Sequence, residues 1–171
     1  KKTVKKGTGS DAARAGSSTD ENPGGLSDIE MSEANIKDGA GFVEHKDLAD
    51  IRFDYDAYTL SDEARATLKK NAEYLKSNRD MEFLVAGHCD ERGTTAYNLA
   101  LGQKRAKEVR EYYLRLGVGA KSVATISYGE EQGTCRESTD DCWHRNRRVE
   151  SRVRTRTVSN GTHGLDPKSP Q

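Results

Sequence analysis

The sequence predicts a small α/β domain, an α+β sandwich in the order β-α-β-α-β-(α)-β, with a mixed four-stranded sheet and helices on one face. Three observations carry this. Short apolar runs of strand length alternate with two stretches whose apolar residues recur every three or four positions. Gly or Ser stands where those periods change. Hydrophobic and charged residues each make up 33% of 171 residues, too lean for the whole chain to pack, so a small core with uncommitted flanks is expected.

Ile51, Phe53 and Tyr55 alternate with Arg52 and Asp54 and predict a first strand. Ser61 is placed to cap a helix whose first turn carries Asp62 and Glu63, favourable against the helix dipole. Its apolar stripe is Ala64, Leu68, Ala72 and Leu75. Phe83–Ala86, nearly all apolar and ending at Gly87, predicts a buried strand. A second helix runs from about Tyr97 to Gly117 with the stripe Ala106, Val109, Tyr113 and Leu116. Val123–Tyr128 predicts a third strand and Val149–Thr155 a fourth. In the last, Val149, Ser151 and Val153 alternate with Glu150, Arg152 and Arg154, so one face is expected to be wet. Strands separated by helices favour parallel neighbours, while the last strand can add in either direction.

The domain is therefore expected over residues 48–156, after a flexible tether of residues 1–47 and before a disordered tail of residues 157–171. Lys1 to Gly25 holds almost nothing to bury, so ordering it has no offset. Leu26, Ile29, Met31 and Ile36 predict at most a transient amphipathic turn. No apolar run reaches the ~18–20 residues that span a bilayer. The chain begins with neither Met nor a signal-like stretch, so a processed or truncated form is expected. A formal net charge of zero argues against general attraction to nucleic acid or anionic membrane.

Cys135 and Cys142 stand in a polar loop and Cys89 at the end of an apolar run. That pattern fits one disulfide, one sheltered thiol and an oxidising compartment, with two reduced loop thiols as the alternative.

The most informative stretch is Gly87-His88-Cys89-Asp90-Glu91-Arg92-Gly93-Thr94, at the carboxyl end of a strand, where open α/β sheets tend to place ligands. About 100° of helical rotation per residue puts Asn98, Leu101 and Arg105 within roughly 60° of each other, at the rim of the buried face. Asp90 and Arg105 together suit a zwitterionic amino acid, the guanidinium gripping a carboxylate and Asp90 accepting from an ammonium. The same two residues would equally form a structural salt bridge. The arginines of Arg145-Asn146-Arg147-Arg148 either add a cation at this end or form a solvated face.

Taken with Phe53-Asp54-Tyr55-Asp56, Tyr97-Asn98-Leu99-Ala100-Leu101-Gly102, Arg105-Ala106, Tyr128-Gly129 and Asn146-Arg147-Arg148-Val149-Glu150, that stretch resembles the OmpA-like C-terminal domain family, and within it the peptidoglycan-associated lipoproteins. The resemblance implies binding of the diaminopimelate-bearing stem peptide of peptidoglycan, with no cofactor, metal or catalysis. It implies ligand-binding roles for Asp90, Asn98, Arg105 and Arg147, and cleft-lining positions for Asp54, Tyr97 and Leu101. It further implies a TolB-like periplasmic partner and a lipid anchor at the outer membrane, upstream of this chain. The sequence departs from the family at Cys89, usually a small residue such as Thr or Ala, and at the loop cysteines.

Other readings are weaker. A His88–Cys89–Asp90 catalytic cluster fails because adjacent strand residues point to opposite faces. A zinc site of Cys135, Cys142 and His144 lacks a fourth ligand. A nucleic-acid surface on the last strand lacks interleaved aromatics. The same wall-binding domain in a motor stator or secretion anchor usually follows a membrane helix, which this chain does not contain.

Overall fold

The computed structural model describes residues 39–156. The expected tether residues 1–38, with the turn at Leu26 to Ile36, and the expected tail of residues 157–171 lie outside the described residues. Strands β1 (Val43–Glu44) and β2 (Ile51–Arg52) precede helix α1 (Asp62–Ser77), strand β3 (Met81–His88) and helix α2 (Thr95–Arg115). A short 3-10 turn leads into β4 (Val123–Gly129), and α3 (Asp140–Asn146) precedes β5 (Arg148–Thr155).

The sheet has five strands rather than the four expected, in the order β1-β5-β3-β4, with β2 also pairing β5. β3 and β4 are parallel, and β5 runs antiparallel to β3 with Val153 opposite Phe83 and Val149 opposite Gly87. The extra strand is β1, in a segment the sequence reading assigned to the tether. Val43 and Glu44 pair with Val153 and Arg152, and Phe42 is buried with Leu84, Ala124 and Ile126. The packed unit thus extends amino-terminal of residue 48. β2 is shorter than the alternation predicts. The Phe53 N–H donates to the Arg147 carbonyl, and the chain then turns at Asp54–Ala57, with Asp56 at φ 51°.

Ser61 caps α1, accepting from the Ala64 N–H at 3.1 Å, and Ala64, Leu68, Ala72 and Leu75 are buried. These meet Ala106, Val109 and Tyr113 of α2 over Phe83, Val85, Val123, Val149 and Val153, so one helix-covered face holds the main core. α2 lies unusually close to the sheet. A Cβ on Gly87 would fall 1.9 Å from the Gly102 carbonyl oxygen, and one on Gly102 would fall 2.2 Å from the Ser127 hydroxyl. Only residues without side chains allow that approach, and it brings the start of α2 against the carboxyl end of β3.

The opposite face of β5 is not wet as expected. Arg148 and Glu150 are buried there, Glu150 accepting from Arg148 on one oxygen at 2.8 Å and from Arg152 on the other at 2.6 Å. His88 is fully buried beside them, stacked on Tyr128 and 3.5 Å from Glu150. Alternation in sequence separates two faces of a strand. It does not separate charges facing water from charges facing each other.

Candidate functional site

A cleft of about 200 Å³ opens at the carboxyl end of β3, lined by Tyr55, Asp56, Cys89, Asp90, Arg92, Gly93, Tyr97, Asn98, Leu101 and Arg105. Its back wall is the turn from β3 into α2. Gly93 takes a left-handed φ of 104°, and the Thr94 hydroxyl caps α2 by accepting from the Tyr97 N–H at 3.2 Å. Asn98 is buried and ties helix to turn, donating to the Asp90 carbonyl at 3.3 Å and to Glu130 at 3.4 Å. Leu101, 8% exposed, supplies an apolar patch.

Arg105 is completely buried. It donates to the carbonyls of Ala57 at 2.7 Å, His88 at 3.0 Å and Asp54 at 3.0 Å, and to the Cys89 sulfur at 3.6 Å. Among the described residues no carboxylate lies within ion-pair distance of it. Burial pulls its pKa down, yet a guanidinium remains charged at any physiological pH. This desolvated cation is hydrogen-bonded by neutral groups and its charge is not neutralised by a carboxylate, so the cleft it adjoins favours an anion electrostatically.

Asp90 is 4% exposed and does not pair with Arg105. Its oxygens accept from the Arg92 N–H at 3.0 Å, the Arg92 guanidinium at 3.3 and 3.0 Å, and Arg147 at 3.4 Å. Burial pushes this carboxyl up, but the hydrogen bonds and charge of Arg92, with help from Arg147, outweigh it and hold the carboxyl below its ordinary range. Arg147 also donates to the Phe53 carbonyl at 3.0 Å, so it stands behind Asp90 rather than in the cleft lining.

The structure therefore gathers Asp90, Asn98, Tyr97, Leu101 and Arg105 around one cleft. Asp54 contributes its carbonyl to Arg105, while its neighbour Asp56 reaches the lining and accepts from the Tyr97 hydroxyl. Arg92 and Tyr55 were not singled out from sequence. The Asp90-x-Arg92 spacing within a Gly-bounded turn was the available signal. Cys89 is buried and its thiol is pushed up to about 11 by burial, so it stays protonated, and its S–H donates to the Asn98 carbonyl at 3.2 Å. Cys135 and Cys142, weighed as zinc ligands, are joined in a disulfide. A second cleft of about 320 Å³ at the other end of the sheet, lined partly by Lys76, Arg79 and Arg156, shares no residue with the first.

The sequence model of the OmpA family matches residues 52–147, over half the chain, enclosing every residue of the cleft. The chain belongs to the OmpA family. Among curated members, the peptidoglycan-associated lipoprotein of Brucella melitensis is 41% identical over 99 residues, 58% of this chain and 59% of that protein. This chain thus aligns with rather more than half the length of that relative. The peptidoglycan-associated lipoprotein of Pseudomonas putida is 34% identical over 144 residues, 84% of each chain. The crystal structure of the peptidoglycan-associated lipoprotein from Burkholderia pseudomallei superimposes with a TM-score of 0.60 at 40% identity, over 61% of this chain and 89% of that one. This OmpA-family fold, a mixed sheet with its two long helices on one face, is the class predicted from periodicity.

Proposed function

We propose that this cleft binds peptidoglycan, taking the zwitterionic end of a diaminopimelate residue in the stem peptide. The observation that carries the reading is Arg105, a buried cation at an open cleft with no carboxylate partner among the described residues. Four of its five N–H donors are taken by protein groups, and the ligand carboxylate meets the charge through the remaining Nη2 donor. The ligand ammonium meets the acidic wall of Asp90 and Asp56. Asp90 already serves two arginines, so Asp56 shares that role. Asn98, Tyr97 and Leu101 shape the cleft, and Arg147 with Asp54 supports it from behind. The chain is a binding module rather than an enzyme, consistent with a buried, protonated Cys89.

In the cell the domain ties the outer membrane to the wall as a component of a Tol-Pal assembly. It works on the periplasmic side, with a lipid anchor upstream of this chain and a TolB-like partner. The relatives named peptidoglycan-associated lipoproteins support that placement.

Co-sedimentation with purified sacculi, with free diaminopimelate as competitor, tests the reading. Arg105→Lys keeps a cation but loses the fork, and should cost about 1.5–3 kcal/mol of binding when measured well below the melting temperature of the variant, which itself falls with the lost carbonyl contacts. Sacculus binding that neither diaminopimelate nor Arg105→Lys reduces would remove the assignment.

A further inference from the structure

Arg92 is sandwiched between two rings, with its guanidinium carbon 4.0 Å from the centroid of Tyr55 and 4.1 Å from that of Trp143. From there it engages both oxygens of Asp90. Arg92 is a long, flexible side chain one-third exposed, and its hold on Asp90 depends on what restricts it. One restricting ring, Tyr55, belongs to the cleft wall. The other, Trp143, belongs to α3, a helix of seven residues, too short to be stable by itself.

α3 is fastened at both ends. Thr139 caps it, accepting from the Cys142 N–H at 3.3 Å, and the Cys142 sulfur is bonded to Cys135. At the far end Asn146 accepts from the N–H groups of Thr134 at 2.9 Å and Cys135 at 3.2 Å, and donates to the Cys135 carbonyl at 2.8 Å. The Trp143 indole N–H donates to Glu91 at 3.1 Å, on the turn that carries Asp90 and Arg92. A covalent bond in the loop is thus linked through one ring to the carboxylate of the cleft.

We propose that Trp143 is a positioning residue for ligand binding, held by the Cys135–Cys142 disulfide and acting through Arg92 on Asp90, so that opening the disulfide weakens the cleft. The proposal rests on the wall-binding reading. Cys142 is buried and Cys135 is partly accessible, so a dithiol reductant attacks the Cys135 sulfur. The sulfur–sulfur bond breaks, Cys142 leaves as a thiolate and takes up a proton, and a mixed disulfide forms on Cys135. The second thiol of the reductant then displaces Cys135. Two thiols remain on the protein and the reductant ends as its own disulfide.

Trp143 is the single tryptophan of the chain, so its emission reads the clamp directly. The full chain, oxidised or treated with dithiothreitol, is compared with Trp143→Ala, Trp143→Phe and the Cys135→Ser/Cys142→Ser pair, by emission, melting and sacculus binding. Reduction should shift the emission and weaken binding roughly three- to tenfold, the size of one lost cation–π contact. Trp143→Ala should weaken binding to the same extent and make it indifferent to reductant, while Trp143→Phe should restore most of it. A folded Trp143→Ala or cysteine-pair variant that binds sacculi as well as wild type, or more tightly, overturns the inference alone. If one of these variants does not fold, the other decides. A wild-type chain that binds no sacculi overturns the wall-binding reading and this inference with it.

Discussion

His88 sits at zero exposure between the Tyr128 ring and the Glu150 carboxylate, with Nε2 3.5 Å from a Glu150 oxygen and Nδ1 without a hydrogen-bond partner among the described residues. Burial lowers its pKa, the positive charges of Arg148 and Arg152 add to this, and Glu150 offsets only part. The unfolded chain therefore binds this proton first. The stability contribution is fully present above about pH 6.5 and is lost as pH falls from there toward the lower folded value. Thermal melts between pH 7.5 and 5 should show that decline, and His88→Gln should flatten it. An unchanged slope would place the titration elsewhere. At this scale Asp90, Asn98, Leu101 and Arg105 were legible in the sequence because one turn and one helical face fix their directions. Asp56 was not. A strand continued through Tyr55 leaves Asp54 and Asp56 on the same side, whereas the turn at Asp54–Ala57 separates them and sends only Asp56 to the cleft. Arg92 and Trp143 meet across 51 positions of sequence, which no local period encodes.

Among the elements, the contact of β3 with α2 decides where the cleft can form. Gly87 and Gly102 place backbone against backbone, which sets Arg105 close enough to donate to the His88 carbonyl at 3.0 Å. Gly87→Ala should push α2 away, costing about 1–3 kcal/mol in chemical denaturation and a larger fraction of sacculus binding. Equal binding by the folded variant would show that the close approach does not set the cleft. Both long helices were legible because caps and stripes agree, as at Ser61 and Leu68. β1 was not, because two residues make no period and Val43–Glu44 is a strand only by virtue of its partner. The buried face of β5 was misread for a similar reason. Phe42 and Gly39 pack over Leu84 beside it, and nothing in the alternation of Arg and Glu announces that cover.

For the molecule as a whole, residues 39–156 should suffice to fold and bind, because residues 1–38 contain few apolar side chains. A protein of those residues should melt cooperatively, while one starting at His45 should lose about 2–4 kcal/mol with Phe42 and β1. Equal stability of the two would show the strap formed by Phe42 and β1 to be superficial. Its position also matters for a chain held at both ends. Val43 pairs with Val153, whereas the cleft adjoins Val149, about 13 Å away along β5. Tension between the amino-terminal side and a ligand in the cleft therefore runs lengthwise along β5, and it first loads the two-residue β1 in shear. If β1 slips, the six residues between it and β2, about 20 Å long at full extension but already spanning about 10 Å along β5, straighten before the pull reaches Ile51 opposite Val149. In a chain that is anchored at its amino-terminal side and holds the wall as proposed, β1 would thus act as a mechanical fuse, yielding before the cleft is loaded.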